Sequence, residues 1–570
     1  MAMSREAGLK IGLPRTGNGP VTLAEAVALS MASVPAASIL GAYLLDLLRM
    51  RFLPLPMLVL SLATGVLVFA RLRPPTISRD DLPDVVLFGV VFAVVATWLG
   101  WLARPYLLPL STGPDLTHHL ILIRYIEEHW HLVHDPSVER FLGEMAQYTP
   151  GSHILAVLGG AWSGTDGLRA LHMVQAIGVA LETGFLVLIS RRLLPQGVPR
   201  VLALASALFL LASPRYALGG FTEYGFVAQV VAQVFAVAMW WAIAAWDAAP
   251  DLRLDAAFGV LGATTFLAWP VYTGPPALAF FIVVTLRTDR SLLVRAGHLA
   301  AAFTPLALFA GVYLVGRLGW LQLAGTGGAA PWPSVQAYSW PLVILSAAGL
   351  VVATTQRRGR VTAVFLFSVA AHAAVFYLLA ARSGAPQPYM ALKMFYLLLW
   401  PMAACATMAI GDGWTLAGST FAGARRSTVA VTTLLVVVLA VVSVPLVRKP
   451  ALLHPLPPAV SLPLYEAGMW ARVNVPPECL EYLVGDDETA YWLHLAVLGN
   501  PRMSARTGDN STYEPKDAVL RWLTPNGLPY GIADLVAIPS GVRDELDIVQ
   551  RFGTAAIVKR RGPSSCDAHP

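Results

Sequence analysis

Charged side chains are scarce: Asp, Glu, Lys and Arg make up 13% of the 570 residues, against roughly 25% in a typical soluble chain. So little polar surface cannot clothe a water-soluble protein of this length, and with 56% hydrophobic residues the covering medium is lipid. Cysteine is sparse as well. Of the three, Cys405 falls in an apolar stretch and reads as inert packing, while Cys479 and Cys566 fall near the C-terminus. A disulfide between those two is chemically allowed outside the cytoplasm, but sequence alone does not show that they meet. No phosphate-binding glycine loop stands in the C-terminal part, and no HExxH or similar zinc spacing stands among the histidines. A basic stripe interleaved with aromatics is absent too, so the formal charge of +6 does not point to nucleic acid. Lys and Arg sit instead in short clusters between apolar spans, as the positive-inside rule expects.

What is present is a succession of apolar windows long enough for membrane helices. They lie near 23–48, 54–71, 84–103, 167–190, 200–213, 224–246, 254–271, 275–287, 296–316, 340–355, 361–381, 394–411 and 427–447. Arg5, Lys10 and Arg15 precede a long apolar stretch without a small-residue cleavage site, which reads as an uncleaved first helix. The N-terminus and connections 71–79, 191–200, 247–253, 287–295, 356–360 and 412–426 are expected in the cytoplasm. All but 247–253 are rich in Arg or Lys. The expected architecture is a membrane all-α protein of about thirteen transmembrane helices, followed by a small extracytoplasmic α/β domain. Its place is a bacterial inner (plasma) membrane, with a cytoplasmic N-terminus. The expected divisions are N-terminal helices over 1–83, a catalytic membrane domain over 84–447 with an external loop 105–166, and a soluble domain over 448–570.

Ser152–Trp162 is apolar but too short to cross, and counting it as a span would put Arg191 and Arg192 outside. It is expected as a juxtamembrane or re-entrant helix, tolerated at that depth only under a cover of protein or beside a cavity. A second unusual loop, Gly319–Tyr338, is rich in Gly, Pro and Trp. Beyond a proline-rich linker at 450–463, the sequence predicts strands at Tyr482–Val484, Leu535–Ile538 and Ala555–Val558. Helices are predicted at Glu488–Leu498 and Val542–Phe552.

The loop Pro105–Asp166 holds six of the twelve histidines, with Asp115, Glu127, Glu128, Asp135, Glu139 and Glu144. If Leu116–Trp130 is helical, Asp115, His118 and His119 share one face. A carboxylate there, at the mouth of a membrane cavity, can take a proton from an acceptor hydroxyl. The competing reading is a polar loop at the headgroup level with solvated histidines. A divalent metal held by His118, His119, His131 and His134 is a third reading. Gln147-Tyr148-Thr-Pro-Gly-Ser-His153 then forms a turn ahead of the short helix. Glu223, beside Tyr224, is an acid at the lip of a span, where charge is costly without a partner or a task. Lys393 stands at the start of a span on the outer side, with Arg382 ahead of it and Tyr389 and Tyr396 at i−4 and i+3. It is suited to a lipid phosphate as a point charge, or else snorkels to the interface.

The order of these features resembles the GT-C superfamily of membrane glycosyltransferases, which use polyprenyl-phosphate-linked sugars. Protein O-mannosyltransferases, lipid A aminoarabinose transferase and actinobacterial arabinofuranosyl- and mannosyltransferases belong to it. Gly113-Pro-Asp115-Leu-Thr-His-His119 stands where that family carries an acid in its first large external loop. Tyr148-Thr-Pro-Gly151 resembles its Tyr-Pro-Pro-Gly turn, Thr149 replacing the first proline. Ser190-Arg-Arg-Leu-Leu-Pro195 and Tyr389-Met-Ala-Leu-Lys393 are similar to later family segments. The likeness covers about residues 84–411.

The resemblance implies sugar transfer from a polyprenyl-phosphate donor to a glycan, lipid or protein acceptor on the outer face, among membrane lipids. In it Asp115 is the general base, and His118 or His119 orients it or binds the acceptor. Lys393, with Arg382, holds the donor phosphate. Glu144, Tyr148, Glu223, Tyr224, Tyr272, Tyr389 and Tyr396 complete the substrate site. No organic cofactor is expected, and a divalent metal stays open. Two rivals remain. A transporter or lipid flippase predicts mid-membrane charges and internal repeats, whereas no repeat is evident and the ionisable groups cluster on one side. A metal-dependent membrane enzyme would be built on the histidine loop.

Overall fold

The computed structural model describes residues 21–74, 79–104, 114–135, 142–316 and 330–420. In the C-terminal part it describes 454–455, 458, 460–476, 479–493, 528–538, 540–543 and 546–561. The side chains of 114–118 and 143–144 are outside the described set. The expected span 427–447 also lies outside it. The other twelve expected spans each coincide with helical structure.

In chain order the helices are α1 (Leu23–Leu47), α2 (Pro54–Leu72), α3 (Leu82–Leu102), then α4 (Pro114–His129) and the short α5 (Gly151–Ser163). The series continues with α6 (Gly167–Leu193), α7 (Leu204–Leu211), α8 (Val227–Ala248), α9 (Leu252–Ala268) and α10 (Gly274–Thr285). It ends with α11 (Leu292–Gly316), α12 (Trp340–Thr355), α13 (Arg360–Ser383) and α14 (Tyr389–Thr420). Among the described residues eight helices are long and apolar enough to cross a membrane, so this is a multi-pass membrane protein. The expected re-entrant segment is α5, one residue longer at each end than anticipated.

Local chemistry sets the helix starts and their contacts. Thr22 caps α1, its backbone N–H donating to Glu25 (2.8 Å) in a capping box. Small residues let α1 and α2 approach closely: Ser38 and Ser61 share a hydrogen bond of 2.8 Å, and Ser30 donates to the Gly65 carbonyl at 2.8 Å.

The described connections sort onto two ends of the bundle. At the basic end, Arg192 donates to Glu25 (2.7 Å), and Arg191 and Arg200 each lie 3.6 Å from Asp84. Arg253 donates to the Arg71 carbonyl, Arg287 and Arg360 share Asp247, and Arg358 pairs with Asp412. At the opposite end, Asp46 accepts from the Leu132 backbone (2.7 Å) and meets His134 (2.9 Å). There too Trp162 donates to the Pro54 carbonyl, and Ser213 to that of Ala337.

Among the described residues three apolar helices are shorter, at 10–17 residues: Arg200–Leu211, Pro270–Thr285 and Trp340–Thr355. The 12-residue α10 reaches about 18 Å, against a hydrocarbon core of about 30 Å. Short helical turns at Pro214–Ala217, Gly219–Thr222 and Pro270–Tyr272 adjoin α7 and α10 toward the end opposite the basic one. Broken backbone of this kind survives in lipid only where protein or a cavity lines it.

The C-terminal part opens with α15 (Leu462–Asn474), followed by β1 (Leu480–Leu483), α16 (Asp487–Trp492), β2 (Tyr530–Asp534), β3 (Asp547–Phe552) and β4 (Ala555–Lys559). The four strands form one sheet in the order β1-β2-β4-β3, with β1 parallel to β2 and the other pairs antiparallel. Two expectations are corrected. Leu535–Ile538 is the turn after β2 rather than a strand. The helix expected over 542–552 is a single turn, Ser540–Arg543, followed by β3. α15 was not anticipated: Pro463 suggested linker, yet it stands in the first turn, where a helix accepts proline. Cys405 is a free, buried thiol and Cys479 is disulfide-bonded; Cys566 lies outside the described residues.

Candidate active site

Two groups of side chains meet at the end opposite the basic one. The first is built by α4 and α5. Asp115 and His118 lie on the backbone of α4, and Asp115 is one turn from His119 on the same face. His119 is buried (1% exposed), packed edge-on to Tyr148 at 5.0 Å between ring centroids. Its Nδ1 is 2.9 Å from Nε2 of His153, which is fully buried on α5. The other ring nitrogen of His153, Nδ1, lies 3.4 Å from Oγ of Ser152. Burial, and then His119, holds the His153 imidazole well below the ordinary histidine value.

The second group surrounds Lys393, in the second turn of α14 and only 2% exposed. Its ammonium lies over the ring of Phe226, with Tyr389 at 4.8 Å and Trp269 at 6.0 Å. Tyr272 and Tyr338 donate to the carbonyls of Lys393 (2.9 Å) and Phe395, holding the first turns of α14. Tyr396 packs edge-on to Phe226 (5.7 Å) and to Tyr216 (5.1 Å), and Tyr216 stacks on Tyr338. Tyr224, next to Glu223 in the chain, stacks on Phe226.

One short segment joins the groups. Thr149, at the start of α5, donates to the carbonyl of Ala268 (3.0 Å), and Trp269 to Tyr272 follows directly. The threonine that departs from the resembled turn thus has a structural task. A Cβ on Gly151 would come within 2.9 Å of the Ala268 backbone, so glycine permits this approach.

The expected residues Tyr148 and His119 therefore fall in the first group, and Tyr224, Glu223, Tyr272, Tyr389, Lys393 and Tyr396 in or around the second. Arg382 does not join them: it is exposed on the last turn of α13, which ends at Gly384 in a left-handed cap (φ 69°). The side chain of Glu144 lies outside the described residues. Among the described residues no three His, Cys, Asp or Glu side chains form a metal-binding group. Phe226, Trp269 and Tyr216 were not singled out beforehand, and His153 was read only as part of the loop and the turn. Trp269-Pro270 at the end of an apolar span was the available signal for one of them.

A third feature runs against expectation. Glu182, midway along α6, is buried close to Gln233 of α8 and to Tyr272. The ionisable groups are thus not confined to one side of the membrane.

No family model and no curated protein matches the chain. Solved structures do. The chain is similar to ArnT from Cupriavidus metallidurans bound to undecaprenyl phosphate, with 16% identity and a TM-score of 0.45 over 83% of this chain and 97% of that one. It is also similar to the Archaeoglobus fulgidus oligosaccharyltransferase in its apo form, with 12% identity and a TM-score of 0.42 over 79% of this chain and 69% of that one. The same archaeal enzyme, AglB, in complex with an inhibitory peptide and a dolichol-phosphate gives a TM-score of 0.40 at 12% identity over the same shares.

The C-terminal domain reaches this site through α4. Arg124, 4% exposed, donates to the Tyr465 hydroxyl (3.0 Å) and to Glu127 (2.8 Å). Tyr465 in turn donates to Asp166, which caps α6, and Arg169 lies over its ring. Arg472 pairs with Glu128 at the margin. The helix that carries Asp115 and His119 is therefore gripped by α15 at its other end.

Proposed function

We propose that this chain transfers a sugar from a polyprenyl-phosphate donor to a cell-envelope acceptor on the outer face of the membrane, with the basic end in the cytoplasm. The observation that carries the reading is the buried Lys393 in the second turn of a 32-residue helix, boxed by aromatic faces beside the α4–α5 group. A lysine near a helix N-terminus meets the positive end of the dipole, and both favour an anion at that point. A phosphate leaving group is such an anion, and a fixed cation stabilises the charge that builds on it.

In this reading Asp115 takes the proton of the acceptor hydroxyl as the oxygen attacks the anomeric carbon. The sugar–phosphate bond breaks with its electron pair on the phosphate, held by Lys393. The prenyl chain lies in an apolar groove of about 450 Å³ between α13 and α14, lined by Val369, Tyr377, Pro388, Leu392 and Phe395. The domain boundaries at about 83 and 447 and the acceptor-side role of the C-terminal domain belong to the same proposal.

The test is binding of undecaprenyl phosphate and decaprenyl phosphate to the purified full chain, wild type beside Lys393→Met. Saturable binding weakened about 100-fold or more in the variant, the scale of losing a charge-assisted contact, is the expected result. Equal binding by both proteins would remove Lys393 from the reading. No binding by either would remove the carrier itself.

A further inference from the structure

The tyrosines around Lys393 divide into two kinds. The hydroxyls of Tyr272 and Tyr338 are engaged by backbone carbonyls of α14. Those of Tyr216 and Tyr396 are not: both side chains are 1% exposed, and neither hydroxyl has a hydrogen-bond partner among the described residues. The two rings are 5.1 Å apart and nearly perpendicular. They come from distant parts of the chain, one from the irregular segment after α7 and one from α14. A buried hydroxyl without a partner is destabilising, and phenylalanine would fill the same space without that penalty. Two such groups at one place point to a ligand that supplies the missing partners.

The surroundings indicate what kind. Tyr396 shares the Phe226 ring with the Lys393 ammonium, so the two hydroxyls belong to the same chamber as the cation. The charges of Glu223 and Arg215, and the phenol of Tyr224, act on Tyr396 as well. Aromatic faces, neutral hydroxyl donors and a carboxylate with a guanidinium nearby are what a polyhydroxylated ring uses: apolar C–H faces against rings, hydroxyls to hydrogen-bonding groups. We propose that Tyr216 and Tyr396 form a subsite for the sugar ring of the donor, distinct from the lysine that holds its phosphate. This rests on the donor reading above and deepens it. Tyr216 and Tyr396 bind the sugar, and Lys393 binds the carrier.

The discriminating variants are Tyr216→Phe and Tyr396→Phe in the full chain, which keep the rings and remove only the hydroxyls. Two readouts are taken: thermal stability of the ligand-free protein, and binding of undecaprenyl phosphate bare or bearing mannose or arabinose. The expected result is an unchanged or raised melting temperature and unchanged binding of the bare carrier. At least one sugar-bearing carrier should bind wild type more tightly than the bare one, and lose about 10-fold in each variant, the scale of one hydrogen bond. A fall in melting temperature would show that the hydroxyls have a structural partner and overturn the proposal. So would sugar-bearing carriers that bind wild type no better than the bare one, or that bind the variants as tightly as wild type. Failure of the bare carrier to bind wild type would instead strike the donor reading itself.

Discussion

Removing one oxygen atom at Tyr465 tests whether the C-terminal domain holds the site-bearing helix. Tyr465 is 2% exposed, and its hydroxyl both accepts from Arg124 and donates to Asp166. Burial pushes this phenol above its ordinary value, with Arg124 pulling the other way and Asp166 adding to the rise, so it stays protonated and able to donate. Tyr465→Phe keeps the ring under Arg169 and leaves two charged groups each short of one hydrogen bond. Such bonds contribute about 1.5–3 kcal/mol each. Asp166 is partly exposed, with 19% of its side chain accessible, so water replaces much of its loss; Arg124 is not so placed. The net cost is about 3 kcal/mol, roughly a 150-fold shift in the docking equilibrium of α15 on α4. Hydrogen exchange of peptides covering 114–129 and 462–474 should accelerate by that order, and turnover should fall while carrier binding holds.

Arg472→Met is the control. Burial, then the charge of Arg124, brings the Arg472 guanidinium down to about 10. A base lowered in the folded state opposes folding below that value, and the effect is relieved only between about 10 and its ordinary 12.5. Its pairing with the exposed Glu128 therefore does not offset the cost of burying it at neutral pH, and its loss should accelerate exchange by less than about fivefold. Wild-type exchange in Tyr465→Phe, or equal effects of the two substitutions, would refute the clamp.

Three further outcomes are expected. Asp115→Asn should abolish transfer while binding of undecaprenyl phosphate is kept, and an active variant would sink the base assignment. His153 is held below its ordinary value of 6.5, so the unfolded chain binds the extra proton first, and stability falls as pH drops below about 6.5. The slope is at most about 1.4 kcal/mol per pH unit, and melting curves of His153→Gln should lack it. A Cβ at Gly349 of α12 would collide with the Cys405 carbonyl of α14, so Gly349→Ala should force the helices apart and cut the yield of folded protein; yield and melting temperature at wild-type level would refute this.

The membrane helices were legible because each carries its own signal: a run of apolar residues ended by basic ones. Even α5 was readable, since its length alone bars it from crossing. The C-terminal sheet was less so. β3 is an edge strand whose Asp547–Gln550 side chains are all exposed, so no buried alternation marks it, and its composition passes for helix. In the site, Tyr389, Lys393 and Tyr396 were readable from spacing on one helix. Phe226 and Trp269, which complete the box around the ammonium, come from segments far away in the chain, and no local pattern encodes that meeting. Arg382 was misplaced for the converse reason. Nearness in sequence to Lys393 suggested partnership, but α13 ends at Gly384 and leaves its last turn facing outward.

Glu182 revives the transporter as a rival, because a mid-membrane acid is one of its marks. The deciding consideration is what would have to move. Alternating access requires the basic end to open, and that end is cross-braced between non-adjacent elements. Glu25 joins α1 to α6, Asp84 joins α3 to α6 and to Arg200, Asp247 gathers the ends of α8, α10 and α13, and Arg358 ties α14 to the α12–α13 turn. Glu25 and Asp247 are buried, and stripping a buried carboxylate of its partner costs about 3–5 kcal/mol. Opening the basic end would break several of these together. At the opposite end α7 and α10 stop short beside Lys393, and the ties there include neutral bonds to backbone carbonyls, such as Ser213 to Ala337 and Tyr272 to Lys393. A basic end held shut suits chemistry reached from the other end. Double substitution Glu25→Gln with Asp247→Asn should then lower stability without creating transport of the carrier across a reconstituted bilayer. Carrier flux through wild-type protein would reverse the argument.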